Sequence, residues 1–263
     1  MFFDTHCHLD FKEFDYQLKQ GLQNWRKADV KAFLIPATQP SSWNEIVQLS
    51  RTHQLHCAIG VHPYFLEGLQ AQGFTLDSLI TEITLYIERN KHLIHGIGEF
   101  GLDARQHVQH EWQEELFDIH LQQAIKHNKP AIIHSVKTHQ TVVSKIKQQT
   151  RSVIGVVHGF SGSYQQAKQF IDLGLHIGVG GVITKPNAHK TRDAIRQIPL
   201  DAIVLETDSP DMKLFGETNQ INTPATIPLI CQHLAELRSE GLSDLEDSIY
   251  RNSVHLFGES NCN

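Results

Sequence analysis

The sequence has no excess of basic charge: 23 lysines and arginines face 29 aspartates and glutamates, a formal net charge of −6. That balance argues against a broad cationic face gripping nucleic acid. It leaves room for a small phosphate site whose positive charge comes from metal ions. Cysteine is sparse and scattered (Cys7, Cys57, Cys231, Cys262), with no C-x-x-C pair. Neither a disulfide framework nor a thiolate zinc site is therefore indicated. No run of about 18 apolar residues is present, which excludes an evident membrane helix. The start carries no basic n-region, apolar h-region or cleavage site, so the expectation is a cytoplasmic protein without a membrane partner. No segment points to an obligate protein partner. Repeats, linkers and low-complexity stretches are missing too, and one domain over residues 1–263 is the simplest reading.

What is present is an alternation of short apolar runs with longer amphipathic ones. The expected strands are Phe2–His8, Lys31–Ala37, His56–His62, Leu93–Glu99, Ala131–His134, Ile154–His158, His176–Gly180 and Ala202–Thr207. Helix-like stretches lie between them near Tyr16–Ala28, Trp43–His53, Leu76–Asn90, Glu111–Asn128, Thr141–Gln149, Tyr164–Leu173 and His189–Gln197. In the fourth of these, Trp112, Leu116, Ile119, Ala124 and Ile125 keep roughly to a 3.6-residue period. Two more, Ala225–Ser239 and Ser243–Leu256, follow the eighth strand. Strands separated by helices imply parallel pairing and right-handed crossovers. Eight such units predict a (β/α)8 TIM barrel with an extra C-terminal helix, at a length usual for that fold. A doubly wound open sheet would produce a similar string.

The polar residues gather at the strand ends. The first strand closes in Asp4-Thr5-His6-Cys7-His8, where alternation puts His6 and His8 on one face and Cys7 on the other. Later strands close in His62-Pro63, Glu99, His134, His158 and Glu206-Thr207-Asp208. A carboxylate or imidazole closing an apolar run is costly unless something there needs it. In a (β/α)8 barrel all these ends share one face, where active sites are built. Each alone could cap a helix or brace a loop, but six residues of metal-ligand type at different strand ends point to a metal centre.

The phrases D-T-H-C-H (4–8), G-V-H-P (60–63), G-E-F-G-L-D (98–103), H-S (134–135), V-H-G-F-S-G (157–162) and E-T-D-S-P (206–210) resemble those of the TatD-type metal-dependent hydrolases. These are deoxyribonuclease-like members of the amidohydrolase superfamily. The resemblance covers essentially the whole chain and looks strongest to the YjjV-like branch. It implies a binuclear site: His6, His8 and Asp208 on one divalent ion, His134 and His158 on the other, Glu99 bridging both. A bridging carboxylate suits the metal spacing used in two-metal phosphoester cleavage. It further implies that Asp208 and Glu99 are catalytic, with Asp208 ligand and proton acceptor together. The imidazole-rich set favours zinc, manganese, nickel or iron over magnesium. Phe100 departs from the smaller aliphatic residue usual in the family, and is expected to narrow the pocket rim.

Other residues have two readings each. His62 touches a substrate phosphate or simply fixes its loop, and Lys137 binds a phosphate oxygen or is merely solvated. Asp4 and Glu206, each two residues before an expected ligand, are candidates to orient the ligating histidines. His95 is expected to be a satisfied core histidine, and Cys7 packing. His107, His110, His120, His127 and His139 are expected at the surface. The implied activity is 3′–5′ exonuclease-like phosphodiester hydrolysis at a DNA end or on a small phosphoester. The alternative is a carboxylic-ester, lactone or amide hydrolase of the same superfamily, since fold does not determine function.

Overall fold

The computed structural model describes residues 1–106 and 110–259. Eight strands pair in chain order: β1 (Phe2–Asp4), β2 (Val30–Pro36), β3 (His56–Ile59), β4 (Gly96–Asp103), β5 (Ala131–Val136), β6 (Gly155–Val157), β7 (Leu175–Val179) and β8 (Ile203–Leu205). Every pairing is parallel. Backbone bonds from Thr5 N to Leu205 O (3.0 Å) and from Asp208 N to His6 O (2.9 Å) join the last strand to the first. The ring is a (β/α)8 barrel.

Parallel neighbours need crossovers, and helices supply them on the outside. They are α1 (Leu18–Lys27), α2 (Trp43–His53), α3 (Leu66–Ala71), α4 (Leu76–Asn90), α5 (His110–His127), α6 (His139–Lys147), α7 (Tyr164–Ile171) and α8 (His189–Gln197); α9 (Ile227–Arg238) follows the last strand. Local sequence explains them: α4 starts with Thr75 and Ser78 in a reciprocal capping box and buries Leu79, Ile83 and Ile87 at four-residue spacing. The extra helix α10 (Leu242–Phe257) turns Leu256 and Phe257 onto Phe3, Ala32, Leu34, Ala58, Ile132, Val156 and Val204. This cluster fills the barrel interior, apart from the larger core beneath the outer helices.

Two strands differ from expectation in ways that matter for the site. β1 stops at Asp4, so His6 and His8 lie beyond it rather than on it. Phe3 faces the interior cluster, so unbroken alternation would have turned His6 outward. The break after Asp4 turns it back in. β4 begins later and runs on to Asp103, because Gly101 and Asp103 stay in register with His134 and Val136. Only glycine fits at 101, since a Cβ there would lie 1.9 Å from His134 O.

Four side chains, Phe100, His120, His139 and His127, correct the sequence reading. Phe100 does not reach the pocket rim: it is buried beneath α5, stacked on His120 at 5.0 Å and 9°. His120 is not a surface residue but wholly buried, because the Val61 N–H needs a partner and His120 Nε2 accepts from it at 3.1 Å. His139 is likewise buried, its Nδ1 2.9 Å from Ser135 Oγ and its ring against Phe160. His127 is half-buried near Glu88. His107 and the His110 side chain lie outside the described residues. His95 is satisfied as expected, with Nδ1 accepting from Cys57 N at 3.2 Å.

Burial pushes His120 down to about 4, so the folded protein keeps this ring neutral while the unfolded chain protonates it near 6.5. Its contribution is complete above about 6.5 and is lost as pH falls toward 4. His120→Gln, which cannot titrate, should therefore be less stable than wild type at pH 7.5. The gap should narrow by up to roughly 1.4 kcal/mol per pH unit between 6.5 and 4. Denaturant midpoints of both proteins across that range check this, and a constant gap would show that His120 does not titrate in this way.

Candidate metal centre

The strand ends bring the expected residues together around Glu99, which is almost fully buried. Its Oε2 lies 3.1 Å from His6 Nε2 and 3.7 Å from His8 Nε2. Its Oε1 lies 2.6 Å from His158 Nε2 and 3.1 Å from His134 Nδ1. Asp208 Oδ1 is 3.5 Å from both His6 Nε2 and His8 Nε2. The facing nitrogens are close as well: 3.3 Å between His6 and His8, and 3.1 Å between His134 and His158. Although three imidazole nitrogens approach Glu99 Oε1, among the described residues it accepts no well-formed hydrogen bond. Lone pairs that converge on common points instead of on each other's protons fit the donor set of a cation site.

Electrostatics agree. Working against burial, Asp208 holds His8 up to about 9, and Glu99 holds His158 up to about 10. Burial pushes His6 down to about 4. Despite burial, the neighbouring imidazoles keep Glu99 well below the usual carboxylate range and Asp208 below it. The cluster holds two ionised carboxylates in a buried place and draws positive charge to it.

Second contacts orient these groups. His134 Nε2 is 3.1 Å from Asp103 Oδ2, which leaves Nδ1 as the lone pair facing Glu99. Among the described residues no hydrogen bond or ion pair joins Asp4 to an imidazole, although its Oδ1 accepts from the His6 backbone N–H at 3.4 Å. Its carboxylate accepts from Thr207 Oγ1 (2.6 Å) and Thr207 N (2.9 Å), bracing the loop on which Asp208 adopts a left-handed φ of 55°. Glu206 accepts from Gly159 N, stands 3.9 Å from His158 Nδ1, and is pushed up to about 8 by burial. It fits there because residue 178 is glycine; a Cβ would lie 2.3 Å from Glu206 Oε2. Cys7 turns away, its Sγ toward Leu34 O.

The cluster opens on a cavity of about 340 Å³, lined by His8, His62, Glu99, His134, His158 and Asp208, with His6 fully buried behind them. Phe11, Tyr64, Phe65, Thr38, Arg105 and Asp211 complete it. A larger cleft of about 480 Å³ beside Arg192, Arg196 and Arg238 lies on the outer helices. Its arginines donate to backbone carbonyls, Arg238 to Ile195 O at 2.7 Å and Arg196 to Leu237 O at 3.2 Å. We therefore place the chemistry in the smaller cavity.

The sequence model described as TatD related DNase matches residues 3–258. The chain belongs to this TatD-related DNase family. The uncharacterized metal-dependent hydrolase YjjV of Escherichia coli K12 is 38% identical over 258 residues, 97% of each chain. The crystal structure of the TatD homologue YjjV from the same organism superposes with a TM-score of 0.90 at 37% identity, covering 98% of both chains. The Pantoea ananatis protein named 3′-5′ ssDNA/RNA exonuclease TatD is 28% identical, covering 97% of this chain and 99% of its own. The chain is a metal-dependent hydrolase of the TatD family, and in the described residues no helix is long and apolar enough to cross a membrane.

Two expected TatD-family substrate contacts separate in space. His62 lines the cavity, with Nε2 3.1 Å from Glu99 Oε1. Its Nδ1 accepts from Tyr64 N at 3.0 Å, so the neutral ring carries its proton on Nε2. Although His62, Glu99 and His134 stand near enough to share an ion, that tautomer makes His62 a donor into the cavity rather than a ligand. Lys137 is exposed and does not line the cavity. Arg105 was missed by the sequence reading, and Asp103, although it closes the G-E-F-G-L-D phrase, was given no role there. The signal available for Asp103 was its place at the end of a strand next to the one bearing His134.

Proposed function

We propose that this TatD-family hydrolase is a binuclear phosphodiesterase that trims single-stranded nucleic acid from its 3′ end. The observation that carries this is Glu99, whose two oxygens each face a separate pair of imidazoles. His6, His8 and Asp208 would hold one ion, His134 and His158 the other, with Glu99 shared. Zinc, manganese, nickel or iron suits this set better than magnesium. The name of the Pantoea relative and the cavity's size, large enough for about one nucleotide unit, support the strand-end reading. Phe11, Tyr64 and Phe65 provide aromatic surface at the cavity on which a terminal base can stack.

When bound, two divalent ions polarise the phosphoryl group and lower the pKa of water toward about 7. Asp208, ionised and partly exposed to the cavity, takes the proton of the attacking water and passes it to the departing alkoxide. His62 donates its Nε2 proton to a non-bridging phosphoryl oxygen and so stabilises the added charge. Asp103 keeps His134 in one tautomer throughout.

Chelation should abolish activity, and reconstitution should restore it with two ions per chain by elemental analysis. The metal-loaded protein should shorten 5′-labelled single-stranded DNA while leaving closed circular duplex intact. It should act on nitrophenyl phosphodiesters far faster than on a panel of lactones and carboxylic esters. A single ion at full activity, or a preference for lactones, would overturn this assignment.

A further inference from the structure

Among the described residues lining the cavity, Arg105 is the one arginine or lysine. It stands just past β4, with its side chain more than half exposed. The guanidinium is nevertheless pinned. Nε lies 3.0 Å from Asp103 Oδ1 and Nη2 lies 2.7 Å from Asp103 Oδ2, while the Arg105 backbone N–H donates to Oδ1 at 2.8 Å. Asp103 is wholly buried, and its Oδ2 also faces His134 Nε2 at 3.1 Å. One carboxylate thus serves a proposed ligand and a cavity arginine together.

The fork consumes one edge of the guanidinium plane. An arginine has five N–H donors, and none of the hydrogen bonds among the described residues uses Nη1. The pinned group therefore presents Nη1 and the outer Nη2 proton in a fixed orientation, without the entropy cost of ordering a mobile side chain on binding. Planar paired donors match the oxygens of a phosphate. Serving the scissile phosphoryl group is already the task of His62 and the metal ligands, which lie around Glu99.

We propose that Arg105 binds a second phosphate of the substrate, next to the one being cleaved. This rests on the phosphodiesterase reading above and narrows it: preferred substrates carry at least two phosphates, as an oligonucleotide end does and an isolated diester does not.

The test uses metal-loaded enzyme and matched chromogenic substrates. Thymidine 5′-(p-nitrophenyl phosphate) is compared with its 3′-phosphorylated form, and thymidine 3′-(p-nitrophenyl phosphate) with its 5′-phosphorylated form. In one of the two pairs, wild type should favour the two-phosphate member in kcat/KM. Arg105→Gln should erase roughly 10- to 100-fold of that preference, the factor carried by a charged hydrogen bond. Arg105→Lys, which keeps the charge without the fork, should retain part of it. Raising salt should reduce the wild-type preference and leave that of Arg105→Gln flat.

Equal losses on both members of each pair, with fewer ions per chain, would show that Arg105 acts only through Asp103 and His134, and would overturn the proposal. So would an unchanged preference in Arg105→Gln. Hydrolysis of none of the four esters by wild type would overturn the phosphodiesterase reading itself, a result distinct from either.

Discussion

Glu99→Gln should lose hydrolysis by about 10³-fold or more and bind at most one ion per chain where wild type binds two. The glutamine amide has the size of the carboxylate, but one of its ends is an NH2 group with no lone pair. Whichever way it is turned, either the His6–His8 side or the His134–His158 side loses its oxygen. Electrostatic stabilisation by the ions is worth several kcal/mol, and each 1.36 kcal/mol is a factor of ten in rate. Elemental analysis and kcat at raised metal concentration read the two effects separately, with circular dichroism to confirm the fold. Two tightly held ions in the variant would remove Glu99 from the role of bridge.

Asp208→Asn tests whether the same residue is proton acceptor as well as ligand. Asparagine keeps the size and one carbonyl oxygen, and so coordinates weakly, but it cannot take a proton. If Asp208 only binds metal, lost activity should track lost metal and return when metal is raised. For a proton acceptor, the rate should stay depressed by about 10²–10⁴-fold with both sites filled, the usual size of a general acid–base contribution. Nitrophenolate departs without needing a proton, so the defect should be smaller on a nitrophenyl diester than on an alkyl diester. The measurement is kcat on both esters at saturating metal, with occupancy checked. Near wild-type rates on each would reduce Asp208 to a ligand. The Asp4–Thr207 contacts that brace this loop offer a control. Asp4→Asn should lower stability and activity together on both esters, without the leaving-group dependence.

What could be read in the amino-acid string follows from short-range rules. The alternation of apolar runs with helical periods forces parallel strands and outside crossovers, which a barrel and a doubly wound open sheet share; the bonds joining the last strand to the first decide for the barrel. The polar ends of otherwise apolar runs pointed to a metal centre, because burying such groups at strand ends is costly without a purpose, and the resemblance to the TatD family picked out His6, His8, Glu99, His134, His158 and Asp208 among them. Tertiary contact decided the rest. His120 looked like a surface residue on its helix, but the Val61 N–H across the barrel wall had to be satisfied, and no local pattern carries that need. Phe100 seemed to point at the pocket until the path of β4 put Glu99 inside and its neighbour beneath α5. His6 and His8 share a face although the strand ends before them, since the bonds of Asp208 N to His6 O and Thr5 N to Leu205 O set that segment. In sequence Lys137 reads as a phosphate contact and Arg105 gives no such signal. Only the Asp103 carboxylate, buried between His134 and the Arg105 guanidinium, holds one of them at the cavity and leaves the other in solvent. Periodicity and residue chemistry report what each element needs, but which partner meets the need depends on residues far apart in the chain. Only the closed barrel brings those together.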